Sequence, residues 1–337
     1  MRFANSLLVW GVLLAVFAAD AQAVVIQWSA VGNPGNANDP ADGDSGTAGV
    51  QNFGAVPYAY NIGTYDVTAS QYVEFLNAKD PTSANTLLLY EATRMSDPIY
   101  GGVSFSAGNL PGSKYGVISG RGNHPANFTN WYDAIRFANW VNNGQGSGDT
   151  ETGAYTLGTI LFPGPLTHNA GSQVWLPTEN EWYKAAYYDP RTTAQGGPPS
   201  DSHYWLYGTS SNSTPIQSLP TALANHANYN NALFNVFNVT DVGAYTGTTS
   251  AYGAFDMAGN VTQWNEDLIK GAFRDLRGGS FFDSLLQSSD QSAFLGGVEN
   301  FNVGFRLASV PGVPEPSTGV LAVIAGAMLW WWRKRFK

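Results

Sequence analysis

There is no cysteine anywhere in the 337 residues of this chain. That single absence excludes disulfides, thiol nucleophiles and thiolate metal ligands. Charge is sparse as well: Asp, Glu, Lys and Arg together make up 12% of the residues, 16 basic against 25 acidic. Histidine occurs four times, as His124, His168, His203 and His226, each in a separate segment. Long apolar runs are confined to the two ends, and no internal repeat is present. What the chain has in quantity is glycine (38) together with 11 Trp, 17 Tyr and 18 Phe. This composition predicts a loop-rich globular fold in which aromatic side chains fill the gaps between irregular segments.

The ends read as export signals. Arg2, an apolar stretch over 7–19 and Ala21-Gln22-Ala23 form a secretory signal peptide with cleavage expected after Ala23. At the other end, Val313, Pro314, Glu315, Pro316 and Ser317 precede a 15-residue apolar run over 318–332 and the basic tail Arg333-Lys-Arg-Phe-Lys337. Such a run is shorter than the roughly 20 residues that span a bilayer comfortably. Trp330 to Trp332 suit the headgroup interface, and the basic tail suits the cytoplasmic side.

This order of features resembles the PEP-CTERM sorting signal of Gram-negative bacteria. The resemblance implies an exosortase-type membrane protease as partner, transient anchoring in the inner membrane, and then the cell surface, outer membrane or extracellular matrix. It also implies hosts that typically make extracellular polysaccharide. An ordinary C-terminal anchor predicts the same topology without cleavage.

Between the ends lies a body over 24–312, long enough for one large domain or two small ones. Without the terminal segments it holds 11 basic and 23 acidic residues, a net charge of −12. An acidic body with scattered charges excludes nucleic acid and argues against an anionic membrane surface.

Three segments carry helix start signals in which a polar side chain caps and a residue three positions on reaches back: Thr68 with Gln71, Asn130 with Asp133, and Thr178 with Glu181. Strands are expected over 157–162, 173–176 and 275–281, and loops over 29–54, 142–154 and 192–217. Asp39, Asp42 and Asp44 in the first loop lack the spacing of an EF-hand and read as a solvated loop.

Six short motifs then occur in order. They are Asp66-Val-Thr-Ala-Ser-Gln-Tyr-Val-Glu-Phe-Leu-Asn77, Asn130-Trp-Tyr-Asp-Ala-Ile-Arg-Phe-Ala-Asn-Trp140 and Trp175-Leu-Pro-Thr-Glu-Asn-Glu-Trp182, followed by Tyr252-Gly-Ala-Phe-Asp-Met-Ala-Gly-Asn-Val-Thr-Gln-Trp264, Leu276-Arg-Gly-Gly-Ser280 and Val303-Gly-Phe-Arg-Leu307. Physically, Gly278 and Gly279 sit where backbone must approach closely or take a positive φ. Arg306 is expected on a closing strand, paired with a buried carboxylate.

Taken together, the six motifs resemble the formylglycine-generating enzyme family, also called the sulfatase-modifying factor family, over residues 55–309. The resemblance implies a single irregular α+β domain related to the C-type lectin fold. It also implies an oxidase that holds copper with two cysteines shortly after the Gly-Gly-Ser segment. By register, Asp283 and Ser288 stand at those two positions. A carboxylate and a hydroxyl cannot replace two thiolates for Cu(I), so no copper and no formylglycine-generating activity is expected. A related branch, the sulfoxide synthases, uses iron held by histidines of an additional helical domain for which this chain has no room.

The resemblance further implies structural calcium held by asparagine side chains and neighbouring carbonyls. Asn228 and Tyr229 match one such place, and Asn260 and Val261 another. There the family's Trp-Glu-Trp is replaced by Thr262-Gln263-Trp264, which costs the site a charged ligand.

The reading that follows is an exported, non-catalytic binding protein for an extracellular ligand, with polysaccharide as the natural candidate. The loops at 192–217 and 142–154, with Tyr204, Trp205 and Tyr207 close by, are the expected binding surface. Two rivals remain. One is a cysteine-independent, metal-assisted enzyme built on Asp283, Asp256 and Glu266 if these converge. The other is a structural component of the cell surface or matrix.

Overall fold

A computed structural model describes residues 23–40, 52–158, 165–230, 238–269 and 271–313. Residues 1–22 of the signal peptide, Asp42, Asp44, the sorting-signal residues 314–317 and the run 318–332 lie outside them. Among the described residues, no helix is long and apolar enough to cross a membrane.

The three capped helices form where the cap signals place them. Helix α1 is Ala69–Lys79, α3 is Trp131–Asn142 and α4 is Glu179–Tyr187, with the four-residue α2, Ala92–Met95, between the first two. Each long helix begins with a complete capping box. Thr178 N donates to Glu181 Oε2 at 2.8 Å, for example, and Glu181 N to Thr178 Oγ1 at 3.2 Å. These bonds satisfy amides that a helix start otherwise leaves without partners.

The strands assemble into two four-stranded sheets. The first joins β1 (Trp28–Val31), β2 (Tyr60–Gly63), β12 (Ala308–Ser309) and β5 (Val174–Trp175) in that order, all antiparallel. It brings the beginning and end of the body together. The second orders β10 (Ser292–Leu295), β9 (Phe273–Arg277), β8 (Thr262–Ile269) and β11 (Val303–Phe305), with β11 parallel to β8. Small pairs, β3 with β4 (Val103–Phe105, Tyr115–Val117) and β6 with β7 (Ile216–Gln217, His226–Ala227), complete the set.

Aromatic residues bind these layers, as the composition predicts. Phe75 of α1 meets Phe137 edge-on at 5.3 Å, and Phe137 meets Phe305 of β11 at 5.5 Å. A second aromatic group, Tyr60, Trp182, Tyr183, Tyr187 and Tyr204, packs α4 on the first sheet.

Several expectations are revised. The strand expected over 275–281 starts at Phe273 and ends at Arg277, because Gly278 and Gly279 take φ of +93° and +62° and turn the chain. A Cβ on Gly279 would lie 2.6 Å from the Leu285 carbonyl, so only glycine fits that turn. Residues 28–31, placed partly in a loop, are an edge strand. Leu157 and Gly158 are irregular, and the rest of the strand expected over 157–162 lies outside the described residues. Asp39 is buried rather than solvated, and it accepts the Tyr183 hydroxyl at 2.9 Å.

Arg306 finds its carboxylate. Its Nη2 lies 3.1 Å from Asp66 Oδ1, with both side chains fully buried. It also donates to Gln263 Oε1 and to the carbonyls of Gly63 and Phe255, which locks the first sheet to the second. Burial pushes Asp66 up to about 7; Arg306 opposes that rise, and the neighbouring Asp256 adds to it.

Candidate functional site

The residues at the two register positions serve the fold. Asp283 closes the turn that the two glycines open. Its Oδ1 accepts Ser280 N and Leu285 N, and its Oδ2 accepts the Ser280 hydroxyl at 2.5 Å and Asn302 Nδ2 at 3.4 Å. Ser288 is buried, its amide donating to the Leu206 carbonyl and its carbonyl accepting Arg277 Nη1 at 2.7 Å. Arg277 is itself held by Glu179 at 2.6 Å, beneath both residues' exposed surroundings. A carboxylate already taken by four donors and the hydroxyl of a buried serine offer only hard oxygen. They do not fit Cu(I).

The expected aromatic surface is revised too. Tyr204 and Tyr207 are buried. The Tyr204 hydroxyl donates to the Ala37 carbonyl and accepts Asn36 Nδ2, while that of Tyr207 pairs with Thr214. Trp205 is half-buried, and its indole N–H is spent on Asp189 at 3.1 Å. The Tyr204 and Tyr207 rings are therefore part of the scaffold, and only Trp205 is partly exposed.

Of the five residues expected to hold calcium, two are bonded to each other. Asn228 and Asn260 do meet: Asn260 N donates to the Asn228 carbonyl at 2.8 Å, and Asn260 Oδ1 accepts Thr240 N at 3.0 Å and Asn228 Nδ2 at 3.4 Å. Asn260 Oδ1 thus already faces N–H groups. Gln263 points elsewhere, its oxygen taken by Trp182 and Arg306 and its amide by the Asp256 carbonyl. Val261 packs its side chain on Val239 and Phe281, and the Tyr229 hydroxyl is 2.7 Å from the Pro215 carbonyl.

The three acids of the rival enzyme occupy three separate networks with no residue in common. Asp283 holds its turn. Asp256 accepts Gly243 N beside Arg306, and burial pushes it up to about 6. Glu266 belongs to a third place. Among the described residues, no group of three or more acids or histidines could hold a metal ion.

That third place arises from an irregularity in β8. Trp264 pairs with Leu276 and Leu268 with Arg274, so Asn265, Glu266 and Asp267 together face the single Asp275. A bulge of this kind re-aims side chains. Asn265 Nδ2 goes to Asp275 at 2.7 Å, and Asp267 accepts the amide of Glu179 at the start of α4 at 2.6 Å. Glu266 stays buried and turns to Tyr155 and His168. Its Oε2 accepts the Tyr155 hydroxyl at 2.8 Å, His168 N at 2.9 Å and His168 Nδ1 at 2.8 Å.

His168 in turn stacks on Trp175, ring centres 4.8 Å apart and planes 16° from parallel. Its ring is 26% exposed, and Nε2 makes no hydrogen bond among the described residues. Burial pulls the imidazole pKa down. The hydrogen bond and charge of Glu266, with Glu181 and Asp267 behind, outweigh that pull and leave it raised overall.

A second glutamate repeats the pattern. Glu181 accepts the Trp175 indole N–H at 3.0 Å through Oε2 and the hydroxyl of the exposed Tyr58 at 3.0 Å through Oε1. Burial, then Glu181, pushes the Tyr58 phenol well up, so it stays a donor. Tyr58, His168 and Trp175 line one open cleft of about 470 Å³ with Asn169, Ser172 and Gln173. Sequence reasoning placed His168 among unremarkable histidines and left Tyr58 out. The available signal was Asn265-Glu266-Asp267, three polar residues in a row within a strand of the core.

Comparison with known proteins follows this geometry. Residues 37–310 match the model of the sulfatase-modifying factor enzyme 1-like domain. Among curated proteins no sequence matches the chain. Of solved structures, CarF aligns at a TM-score of 0.52 and 18% identity, over 85% of this chain and 98% of CarF. Treponema denticola variable protein 1 aligns at 0.46 and 20%, over 86% and 97%. PvdO from Pseudomonas aeruginosa aligns at 0.46 and 18%, over 85% and 93%. At this identity the CarF likeness speaks to the fold alone.

Proposed function

Because the chain belongs to the sulfatase-modifying factor enzyme 1-like domain family, we propose that it is a member without the copper oxidase chemistry that the family resemblance implies, acting as an exported binding protein. The observation that carries this reading is the turn over 280–288. Both register positions are built into the fold, Asp283 by four donated hydrogen bonds and Ser288 by burial over Arg277.

Export rests on the sequence of the two ends. The signal peptide directs the chain across the inner membrane. Val313-Pro-Glu-Pro-Ser317 and the basic tail present it to an exosortase-type protease. The mature body then reaches the cell surface, outer membrane or matrix, where an extracellular polysaccharide is the ligand we favour. Its net charge of −12 without the ends suits a neutral polymer better than an acidic one.

The test is direct. The protein is loaded with Cu(I), offered a cysteine-bearing sulfatase peptide under oxygen, and followed by mass spectrometry. The expected result is unmodified peptide and no stoichiometric copper after desalting. Formylglycine in the peptide would sink the reading.

A further inference from the structure

The geometry points to the cleft between Tyr58 and His168 as a subsite for a neutral saccharide segment. This rests on the binding-protein reading above and gives it a place.

The site is built from behind. Two buried glutamates each fix one cleft-facing ring: Glu181 holds the Tyr58 hydroxyl, and Glu266 holds His168 Nδ1. Trp175 ties the halves together, since it donates to Glu181 and stacks under His168. Rings clamped this way lose little freedom on binding, which lowers the entropic cost of capture.

What these rings offer selects the ligand. Tyr58, 44% exposed, provides an aromatic face of the kind that packs against the C–H surface of a sugar ring. Its oxygen donates to Glu181 and keeps lone pairs for an incoming hydroxyl. His168 Nε2 accepts when the ring is neutral and donates when it is protonated. A sugar hydroxyl, which both donates and accepts, pairs with either state. Asn169, Ser172 and Gln173 line the wall with their N–H and O–H groups already donated, to Gly153 and Thr156, to the Asn169 carbonyl and to the Gly171 carbonyl, which leaves oxygens as acceptors.

Charge narrows the ligand class. Among the described residues no Lys or Arg lines the cleft, and Glu181, Glu266 and Asp267 stand behind it, which disfavours an anionic ligand. The volume of about 470 Å³ falls within the ordinary range for small-ligand sites.

The experiment titrates the full chain, in detergent, with neutral tetrasaccharides derived from dextran, cellulose and agarose, an oligogalacturonate as the anionic counterpart, and an unstructured decapeptide. Calorimetry and saturation-transfer NMR report binding. At least one neutral tetrasaccharide is expected to bind, with Kd raised about tenfold or more by Tyr58→Ala and by His168→Ala. Tyr58→Phe should retain ring packing, and Phe282→Ala, at the exposed turn, should bind like the parent. Melting curves confirm that each variant folds.

Saccharide binding unchanged by Tyr58→Ala and His168→Ala overturns the cleft while leaving a binding protein. Binding of the decapeptide or oligogalacturonate in place of neutral sugars overturns the ligand class, as does binding of none of these probes. Formylglycine formation in the separate copper assay is what overturns the underlying reading.

Discussion

The turn over 280–288 and the cleft at His168 are both organised by one buried or half-buried carboxylate, yet they end in opposite places. Asp283 turns all its accepting capacity inward, onto the backbone and hydroxyl of its own turn and onto Asn302. Glu266 concentrates three donors on one oxygen, and one of them, the His168 ring, keeps a second nitrogen on the cleft side. A polar group whose partners are all internal contributes rigidity. A polar group that orients another, partly exposed group contributes recognition. In this fold the position associated with chemistry by family resemblance has become the first kind, and an unremarked loop histidine supplies the second.

Breaking the cleft's anchor should have the largest effect. Glu266→Ala leaves the Tyr155 hydroxyl, a backbone amide and His168 Nδ1 without the buried acceptor they share. Unfolding in urea should show a loss of about 3 kcal/mol. Saccharide affinity should fall with it, because His168 is no longer oriented. Retained affinity at reduced stability would mean that Glu266 is scaffold in the same sense as Asp283.

The mirror experiment is Asp283→Ala. Loss of the turn's acceptor should cost about 2 kcal/mol, less than at Glu266 because Asp283 is only half-buried. Saccharide Kd should stay within about twofold of the parent in the same calorimetry. A large change in Kd would join the two regions functionally and blur the distinction drawn above.

A pH series separates them more finely. The folded pKa of His168 is raised above its ordinary value, so its pairing with Glu266 contributes stability that is fully present below the unfolded pKa of about 6.5. That contribution is lost as pH rises through the folded value. The difference in melting temperature between the parent and His168→Gln should therefore shrink from about pH 5.5 to about pH 8.5. With the ring partly in solvent, the change should be smaller than either mutational effect above. Asp66 works in the same sense in the core. Burial holds its pKa at about 7, so stability from its neutral form is present below about pH 4 and lost as pH rises through about 7. His168→Gln leaves that second trend in place, so the difference between proteins isolates the cleft.

How much of this was legible in the sequence follows from the range of each interaction. The helices were readable because a capping box is complete within four residues, as at Thr178 and Glu181. Arg306 was readable because a lone cation in an apolar segment requires a buried partner, although it sits in the link between β11 and β12 rather than on a strand, and Asp66 lies 240 residues away. The burial of Tyr204 was not readable. It depends on Asn36, Ala37 and Gly54 folding against the ring from the other end of the chain. Nor was the cleft, since His168 and Glu266 are 98 residues apart and meet only because β8 bulges. The overrun of the strand at Gly278 has the opposite cause. The glycines were recognised as special, and only the backbone angles decide that they end the strand.

The smallest expected effect concerns calcium, and it tests the inward-facing side of the comparison. Asn228 and Asn260 adjoin the turn: Asn260 accepts Phe281 N through its carbonyl, and the Asp283 carbonyl accepts Asn230 N. Asn260 Oδ1 already accepts two N–H groups, and Gln263, which stands where the family resemblance places a charged ligand, is bound to Trp182 and Arg306. A hard cation here would have to displace N–H donors from a neutral oxygen and gain no carboxylate in return. Adding calcium, or removing it with EDTA, should therefore move the melting temperature by less than about 1 °C, since only a ligand that binds the folded state well above its Kd stabilises it. A rise of several degrees on adding calcium would mean that this cluster exchanges its internal hydrogen bonds for a metal, and that the region around the turn keeps a binding role of its own.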